Sequence, residues 1–165
     1  MPRDREISLL LCEMISAGRR DVARALLLEP DIDVGIVLEG GVTPLMLAAD
    51  ARQPHLVALI LALGADPNAR DKFGRTTLMR SAKLDDAHSV TWLLREKASL
   101  DLATHRQRWT ALMWAARYDS GRAARVLIAA GANPGLRDRD NQDASDIAMQ
   151  HGCRAYLDAL RSVPV

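Results

Sequence analysis

One short pattern occurs three times along the chain at a nearly constant interval, and this repetition constrains the fold more than any other feature. The pattern is TPLMLAAD at residues 43–50, TTLMRSAK at 76–83 and TALMWAAR at 110–117. Its copies therefore start 33 and then 34 residues apart. Such a period is typical of repeat proteins, in which each unit is one supersecondary element that packs on its neighbours. The sequence predicts a stack of similar units.

Each unit is predicted to contain two short helices. Thr43 is a favourable N-cap, because its hydroxyl can accept a hydrogen bond from an amide of the first turn. Pro44 suits the first helical position, where its missing N–H costs nothing. Pro54 cannot lie deep inside a continuing helix, so it should begin a second one, which Gly64 can close in the left-handed conformation. The spacing thus predicts an all-α fold of helix–turn–helix units.

Helices of about 8–10 residues rarely persist alone in water, so they must bury their apolar stripes against neighbours. The second helices carry these stripes: Val57, Leu59, Ile60 and Leu61; Val90, Trp92, Leu93 and Leu94; Val126, Leu127 and Ile128. We expect Trp92 to belong to the core and Trp114, on a first helix, to be partly buried between units. The alanines of the first helices should permit close helix approach.

The units resemble the ankyrin repeat. That repeat has a D-x-x-G turn, then T-P-L-H-x-A-A, a second helix ending in V-x-x-L-L, and a closing G-A; DKFGRTTLMRSAKLDDAHSVTWLL and TPLMLAADARQPHLVALILALGADPNARD are similar to it. The resemblance implies one domain over residues 1–165, an all-α ankyrin-repeat solenoid of stacked helix–turn–helix units with β-turn or hairpin fingers. The expected units are a degenerate N-terminal capping repeat at 1–37, repeats at 38–70, 71–104 and 105–137, and a C-terminal capping repeat at 138–165.

The chain departs from the family pattern at a few positions. Methionine stands where the pattern has histidine, at Met46, Met79 and Met113, and we expect these side chains to fill the core. Lys97 replaces the glycine that closes the second helix, which should strain that turn. One extra residue before Thr110 predicts a longer or distorted finger at HRQRW, and two glycines predict a loose first finger at LEGGV.

The sequence contains no pattern that indicates catalysis or a cofactor. Its four histidines lie in different units without metal-ligand spacing, and it has neither G-x-x-x-x-G-K-[ST] nor G-x-G-x-x-G. Cys12 and Cys153 lack C-x-x-C spacing, so buried free thiols are expected. We therefore expect a non-enzymatic protein without a metal ion or a cofactor.

Charge and hydropathy argue against nucleic acid and membrane as partners. The net charge is +1, so no overall electrostatic field draws the chain toward nucleic acid or toward an anionic membrane. No apolar run approaches the roughly 18–20 residues that span a bilayer. The first residues carry acids where a signal peptide would be uncharged. A cytoplasmic location is the expectation.

Recognition of another protein is the remaining class. Ankyrin-like stacks bind partners on a concave face formed by turn tips and first helices, and the resemblance implies the same here. The register places cations and aromatic side chains on this face: Lys72, Phe73, Arg75, Lys83, Arg106, Trp109, Arg117, Tyr118 and Arg139. Exposed aromatics and arginines dominate interface hot spots. For Phe73 and Trp109, packing over the turns is an equally open interpretation.

We therefore expect a protein–protein interaction module that acts as an adaptor, an inhibitor or an immunity-type regulator. Because cations outnumber acids on the middle units, the expected partner presents an acidic segment with at least one apolar anchor. The alternative is a structural or assembly protein that uses the same surface for homo-oligomerisation, and a monomer is favoured over it.

Overall fold

The structure is a computed structural model that describes residues 2–162, with side chains from residue 5 onward. In this range there are ten α-helices and one short 3-10 turn at Glu39–Gly41, and no strand. The helices are α1 Pro2–Ser16, α2 Arg20–Leu26, α3 Pro44–Asp50, α4 Pro54–Ala62, α5 Thr77–Lys83, α6 Ala87–Arg95, α7 Ala111–Arg117, α8 Gly121–Ala129, α9 Ala144–His151 and α10 Arg154–Ser162. The prediction of an all-α fold is confirmed.

The predicted helix signals act as the sequence indicates. The hydroxyls of Thr43, Thr76 and Thr110 accept hydrogen bonds from the amides three residues further on, at 3.3, 3.4 and 3.3 Å. In the last unit Asp143 replaces threonine and forms a capping box with Asp146, which satisfies two backbone amides at once. The first helices α3, α5, α7 and α9 therefore each begin at a defined residue.

Helix ends also follow the predicted chemistry. Pro54 is the first residue of α4, as expected. Gly64 and Gly131, which follow α4 and α8, have φ values of 91° and 92°. Lys97 occupies the equivalent position after α6 with φ 60°, so the predicted strain is present. A side chain in this conformation costs roughly 1–2 kcal/mol.

The helices stack in two layers. The first helices of the units, α1, α3, α5, α7 and α9, pack in succession, and so do the second helices α4, α6, α8 and α10. α2 is the exception, because it packs on α1 and makes little direct contact with α4. The second-helix layer therefore has a gap at its N-terminal end.

The core is filled largely as predicted, with one error. Met46, Met79 and Met113 are buried. Trp92 is 38% exposed, so its assignment to the core was wrong. It occupies the same repeat position as Leu59 and Val126, which are both only half-buried. This position lies at the edge of the stack, and an indole is too large for the neighbouring helices to cover there.

Both cysteines are buried free thiols, as the sequence predicts. Burial raises the pKa of the Cys12 thiol to about 11 and also raises that of Cys153, so both stay protonated near neutral pH. Among the residues described, no three histidine, cysteine or acidic side chains are grouped so that they could hold a metal ion. None of the helices within residues 2–162 combines the length and the apolar character that a membrane span requires.

The contact between α8 and α10 leaves no room for one extra carbon at Gly121. A Cβ added there would lie 2.6 Å from the carbonyl oxygen of Ala155. We expect Gly121→Ala to lower the free energy of unfolding by about 1–3 kcal/mol, because the two helices must move apart. Urea denaturation measures this change.

Gly135→Ala is the matched control for Gly121→Ala. A Cβ at Gly135 would meet only the Asn133 side chain, at 3.5 Å. Its effect should stay within about 0.5 kcal/mol. A Gly121→Ala protein as stable as the wild type would contradict the close packing of α8 on α10.

Candidate protein-binding surface

Four fingers project from the loops that join successive units. Each is closed by a backbone hydrogen bond from its first residue to its last, over residues 38–42, 71–75, 104–109 and 138–142. The third finger is one residue longer than the others and contains Arg108 with φ 61°, in agreement with the prediction for HRQRW. Backbone hydrogen bonds also join neighbouring fingers, from Lys72 to Gly40, from His105 to Phe73 and from Arg139 to Gln107, at 2.7, 3.0 and 3.1 Å. The tips are therefore fixed side by side.

Asp71 organises the second finger from beneath. Its Oδ1 accepts hydrogen bonds from the amides of Phe73 and Arg75, each at 2.9 Å. Its Oδ2 accepts from Arg75 Nε and from Arg80 Nη2, both at 2.7 Å. The other Nη of Arg80 pairs with Asp50 in the preceding unit. One buried carboxylate thus connects a finger to two first helices.

These hydrogen bonds also set the protonation state of Asp71. Its side chain is only 1% exposed, and burial alone would raise its pKa. The hydrogen bonds from Arg75 and Phe73 and the charge of Arg75 outweigh burial, so the pKa of Asp71 lies below its ordinary value of 3.8. The carboxylate is ionised at neutral pH.

The third finger has no such carboxylate. Where the second and fourth fingers begin with Asp71 and Asp138, the third begins with Thr104, whose hydroxyl accepts the Trp109 amide at 3.0 Å. The third finger carries two arginines, Arg106 and Arg108, and no acid. Its local charge is therefore positive and uncompensated within the loop.

An aromatic column, formed by Trp109, Trp114 and Tyr118, runs from the third finger along α7. Trp109 meets Trp114 edge-on with ring centroids 5.1 Å apart, and Trp114 stacks on Tyr118 at 5.8 Å. Lys83 Nζ lies 5.0 Å from the centre of the Tyr118 ring and 5.8 Å from that of Trp114. The Arg117 guanidinium lies 5.6 Å from the Tyr118 ring. The column thus presents aromatic faces beside cations.

Two adjoining hollows lie between the fingers and the first helices, and together they form what we call the finger groove. The first has a volume of about 370 Å³ and is lined by Lys72, Phe73, Arg75, His105, Arg106 and Trp114, among others. The second, of about 230 Å³, is lined by Asp50, Arg75, Met79, Arg80, Lys83 and Trp114. Because Arg75 and Trp114 line both, the hollows form one continuous groove.

The structure brings most of the sequence-predicted site residues to this groove. Lys72, Phe73, Arg75 and Arg106 line its first hollow, and Lys83 lines the second. Arg117, Tyr118 and Trp109 adjoin it through the aromatic column. Arg139 lies on the next finger and lines neither hollow.

Phe73 and Trp109 differ in burial, although the sequence leaves the same two interpretations open for both. Phe73 is 52% exposed, with Lys72 and Arg75 at 5.2 and 4.7 Å from its ring. Trp109 is half-buried, and its indole N–H donates to Asp138 at 2.9 Å. Trp109 therefore supports the finger, whereas Phe73 is available for contact.

Sequence analysis missed Trp114 as part of this surface, and it missed Arg80 and His105 as well. Trp114 was expected to be partly buried, which is correct, but it also lines both hollows. Its position in the repeat is Leu47 in one unit and Arg80 in the next, whereas the methionine before it recurs. A position that varies while its neighbours are fixed indicates the exposed side of the helix, and this signal could have identified it.

Stacked helix pairs with projecting fingers define a repeat solenoid. Residues 45–138, more than half of the chain, match the family model described as ankyrin repeats (3 copies). The chain belongs to the ankyrin repeat family. Ankyrin repeats are a protein–protein interaction module, and the family is generally non-enzymatic.

The similar proteins are longer than this chain. Mitochondrial disaggregase of Bos taurus is 34% identical over 128 residues, which are 75% of this chain and 19% of that protein. Ankyrin repeat domain-containing protein 63 of Homo sapiens is 32% identical over 159 residues, covering 90% of this chain and 41% of the relative. NF-kappa-B inhibitor delta of Mus musculus is 55% identical over 38 residues, 23% of this chain and 12% of the relative. The chain thus spans less than half the length of each.

Proposed function

We propose that this chain is a non-enzymatic, monomeric, cytoplasmic module that binds another protein in the finger groove, and that the partner presents an acidic segment with an apolar anchor. The observation that carries the proposal is the excess of cations around the aromatic column. Five cations line the two hollows, Lys72, Arg75, Arg80, Lys83 and Arg106, against one carboxylate, that of Asp50.

Three of these cations are available for an acidic ligand. Arg80 pairs with Asp50 and Asp71, and Arg75 gives its Nε to Asp71. Lys72, Lys83 and Arg106 form no ion pair with another described residue. A charge-assisted hydrogen bond from such a cation to a partner carboxylate contributes about 1.5–3 kcal/mol.

Phe73 and Tyr118 supply the surface for the apolar anchor. They are 52% and 47% exposed, and both carry cations against their rings. Aromatic side chains in such positions often carry most of the affinity of an interface, because binding desolvates a large area. An acidic segment with one apolar residue would contact the rings and the cations together.

Adaptor, inhibitor and immunity-type regulator are three forms of the same proposal, since each role requires only that the groove hold a partner. The similarity to NF-kappa-B inhibitor delta agrees with the inhibitor form but covers 38 residues. Homo-oligomerisation through the same groove is the alternative outcome. Sedimentation of the wild-type protein at increasing concentration distinguishes a monomer from such an assembly.

The test begins with affinity capture of the partner from the source lysate and continues with the purified pair. We expect Phe73→Ala and Tyr118→Ala each to weaken binding at least tenfold, about 1.4 kcal/mol, with helicity unchanged. Isothermal calorimetry measures this loss. Binding should also weaken as salt rises, because exposed charges are screened.

Arg125→Glu, an exposed position on α8, is the control for the groove variants. It should leave the affinity within threefold of wild type. If Phe73→Ala and Tyr118→Ala bind like wild type while Arg125→Glu abolishes binding, the finger groove is not the site. Trp109 is unsuitable as a probe, because its loss also removes the hydrogen bond to Asp138.

A further inference from the structure

The gap in the second-helix layer opens a second groove that the finger groove does not reach. α2 has 7 residues and packs on α1, whereas α4, α6, α8 and α10 have 9 residues each and pack in succession. Over the exposed side of α4 lies a hollow of about 540 Å³, which we call the outer groove; it is lined by Arg24, His55, Ala58, Leu59, Ala62 and Trp92. A second hollow of about 200 Å³ adjoins it between α2 and the start of α4.

The floor of the outer groove has the shape that receives a helix. His55, Ala58, Leu59 and Ala62 follow the spacing of one helical face, so they line a single side of α4. Ala58 keeps the middle of that side low, and Ala62 does so at its C-terminal end. Trp92, 38% exposed, stands beside it on α6. Small side chains between larger ones allow the ridge of another helix to approach closely.

The charges around the outer groove are predominantly positive. Arg20, Arg24 and Arg52 line the two hollows, with Asp21 as the single acid. None of the three arginines pairs with another described residue. The five second helices together carry seven arginines and two aspartates, although the whole chain has a net charge of +1. Arginine is therefore in excess on the second helices, although Arg122 and Arg161 pair with Asp85 and Asp158.

A buried polar atom also lies at this place. Gln53 is 5% exposed and lines the smaller hollow, and its Oε1 has no hydrogen-bond partner in the described part of the chain. A buried acceptor without a donor is unusual in a folded protein.

We propose that the outer groove is a second docking site, for an amphipathic helix of a partner protein with an apolar stripe and acidic flanks. The stripe would rest on Ala58, Leu59 and Trp92, and the flanking carboxylates would meet Arg24 and its neighbours. A helix fits a groove between helices, whereas a flat membrane would touch only the rim. With two separate grooves, the chain could hold two proteins at once.

The probe is a fluorescein-labelled peptide of about 18 residues, with leucine at helical spacing and glutamate elsewhere. Its counterpart carries lysine at every glutamate position. By fluorescence anisotropy, the wild-type protein should bind the glutamate peptide at least tenfold more tightly than the lysine peptide. Arg24→Glu and Trp92→Ala should each weaken that binding at least tenfold.

Arg125→Glu on α8 is the matched control, because it reverses another exposed arginine, one outside the groove. It should change binding less than threefold, and Tyr118→Ala in the finger groove should leave it unchanged. Equal binding of the two peptides, or equal loss in Arg24→Glu and Arg125→Glu, would overturn the proposal. So would binding of phosphatidylglycerol vesicles or duplex DNA that requires Arg24 when neither peptide binds, since the groove would then serve a membrane or a nucleic acid.

Discussion

Replacement of Asp71 by alanine is expected to lower the free energy of unfolding by about 3–5 kcal/mol, the usual effect of removing one partner from a buried ion pair. Two causes combine. Arg80, whose side chain is 12% exposed, loses the acceptor of its Nη2, and the amides of Phe73 and Arg75 lose theirs. Urea denaturation followed by circular dichroism measures the change.

Asp66→Ala is the control for Asp71→Ala. Asp66 also accepts a backbone amide, from Asn68 at 2.8 Å, but it is exposed and pairs with no arginine. Its removal should cost about 1 kcal/mol or less. Equal effects of the two substitutions would show that Asp71 acts only as a turn residue.

Asp71→Asn separates the charge of Asp71 from its volume. Because the folded-state pKa of Asp71 is depressed, the stabilisation from its charge is fully present above the ordinary value of 3.8 and is lost as pH falls through the lower folded value. The difference in stability between wild type and Asp71→Asn should therefore be largest near neutral pH and shrink below 3.8. A difference that is independent of pH would exclude a role for the charge.

Leu93→Ala and Leu127→Ala should each lower the free energy of unfolding by about 2–5 kcal/mol. The two leucines occupy equivalent positions on α6 and α8 and are both 0% exposed. Truncation leaves a cavity between helices that cannot fully collapse. Because each unit is stabilised by its neighbours, the loss is transmitted along the stack. Equilibrium denaturation of each variant gives the two values.

Leu63→Ala provides the comparison for these core variants. Leu63 follows α4 and is 42% exposed, so its truncation should change stability by only about 0.5 kcal/mol. A loss below about half a kilocalorie in Leu93→Ala or Leu127→Ala would mean that these leucines do not lie between the helices.

The features that sequence analysis predicted correctly depend on local chemistry. The threonine caps, the start of α4 at Pro54 and the left-handed position of Lys97 each follow from one residue and its immediate neighbours. Because the units repeat, the same local features recur along the chain. The burial of Met79 and its repeat equivalents follows from their position on the inner side of a first helix.

The features that it missed depend on contacts between units. The period indicates which side of α6 carries Trp92 but not how far the neighbouring helices extend over it, and the indole remains exposed. The pairing of Arg80 with Asp50 joins residues from separate repeat copies, and the period does not reveal it. The gap between α2 and α4 likewise depends on how α2 packs on α1, which the repeat pattern does not reveal.

The backbone hydrogen bonds between neighbouring fingers order the loops of the finger groove during folding. These loops therefore lose their conformational entropy before a partner binds. Lys72, His105 and Arg139 each donate an amide to the finger before them, so the loops are ordered as the chain folds. Flexible binding loops lose their conformational freedom only when a partner binds, and this entropic cost lowers the affinity. Here the loss on association would be confined to the long side chains and to the partner. Such a pre-ordered frame would favour a flexible acidic segment as partner, because only one of the two chains would have to become ordered.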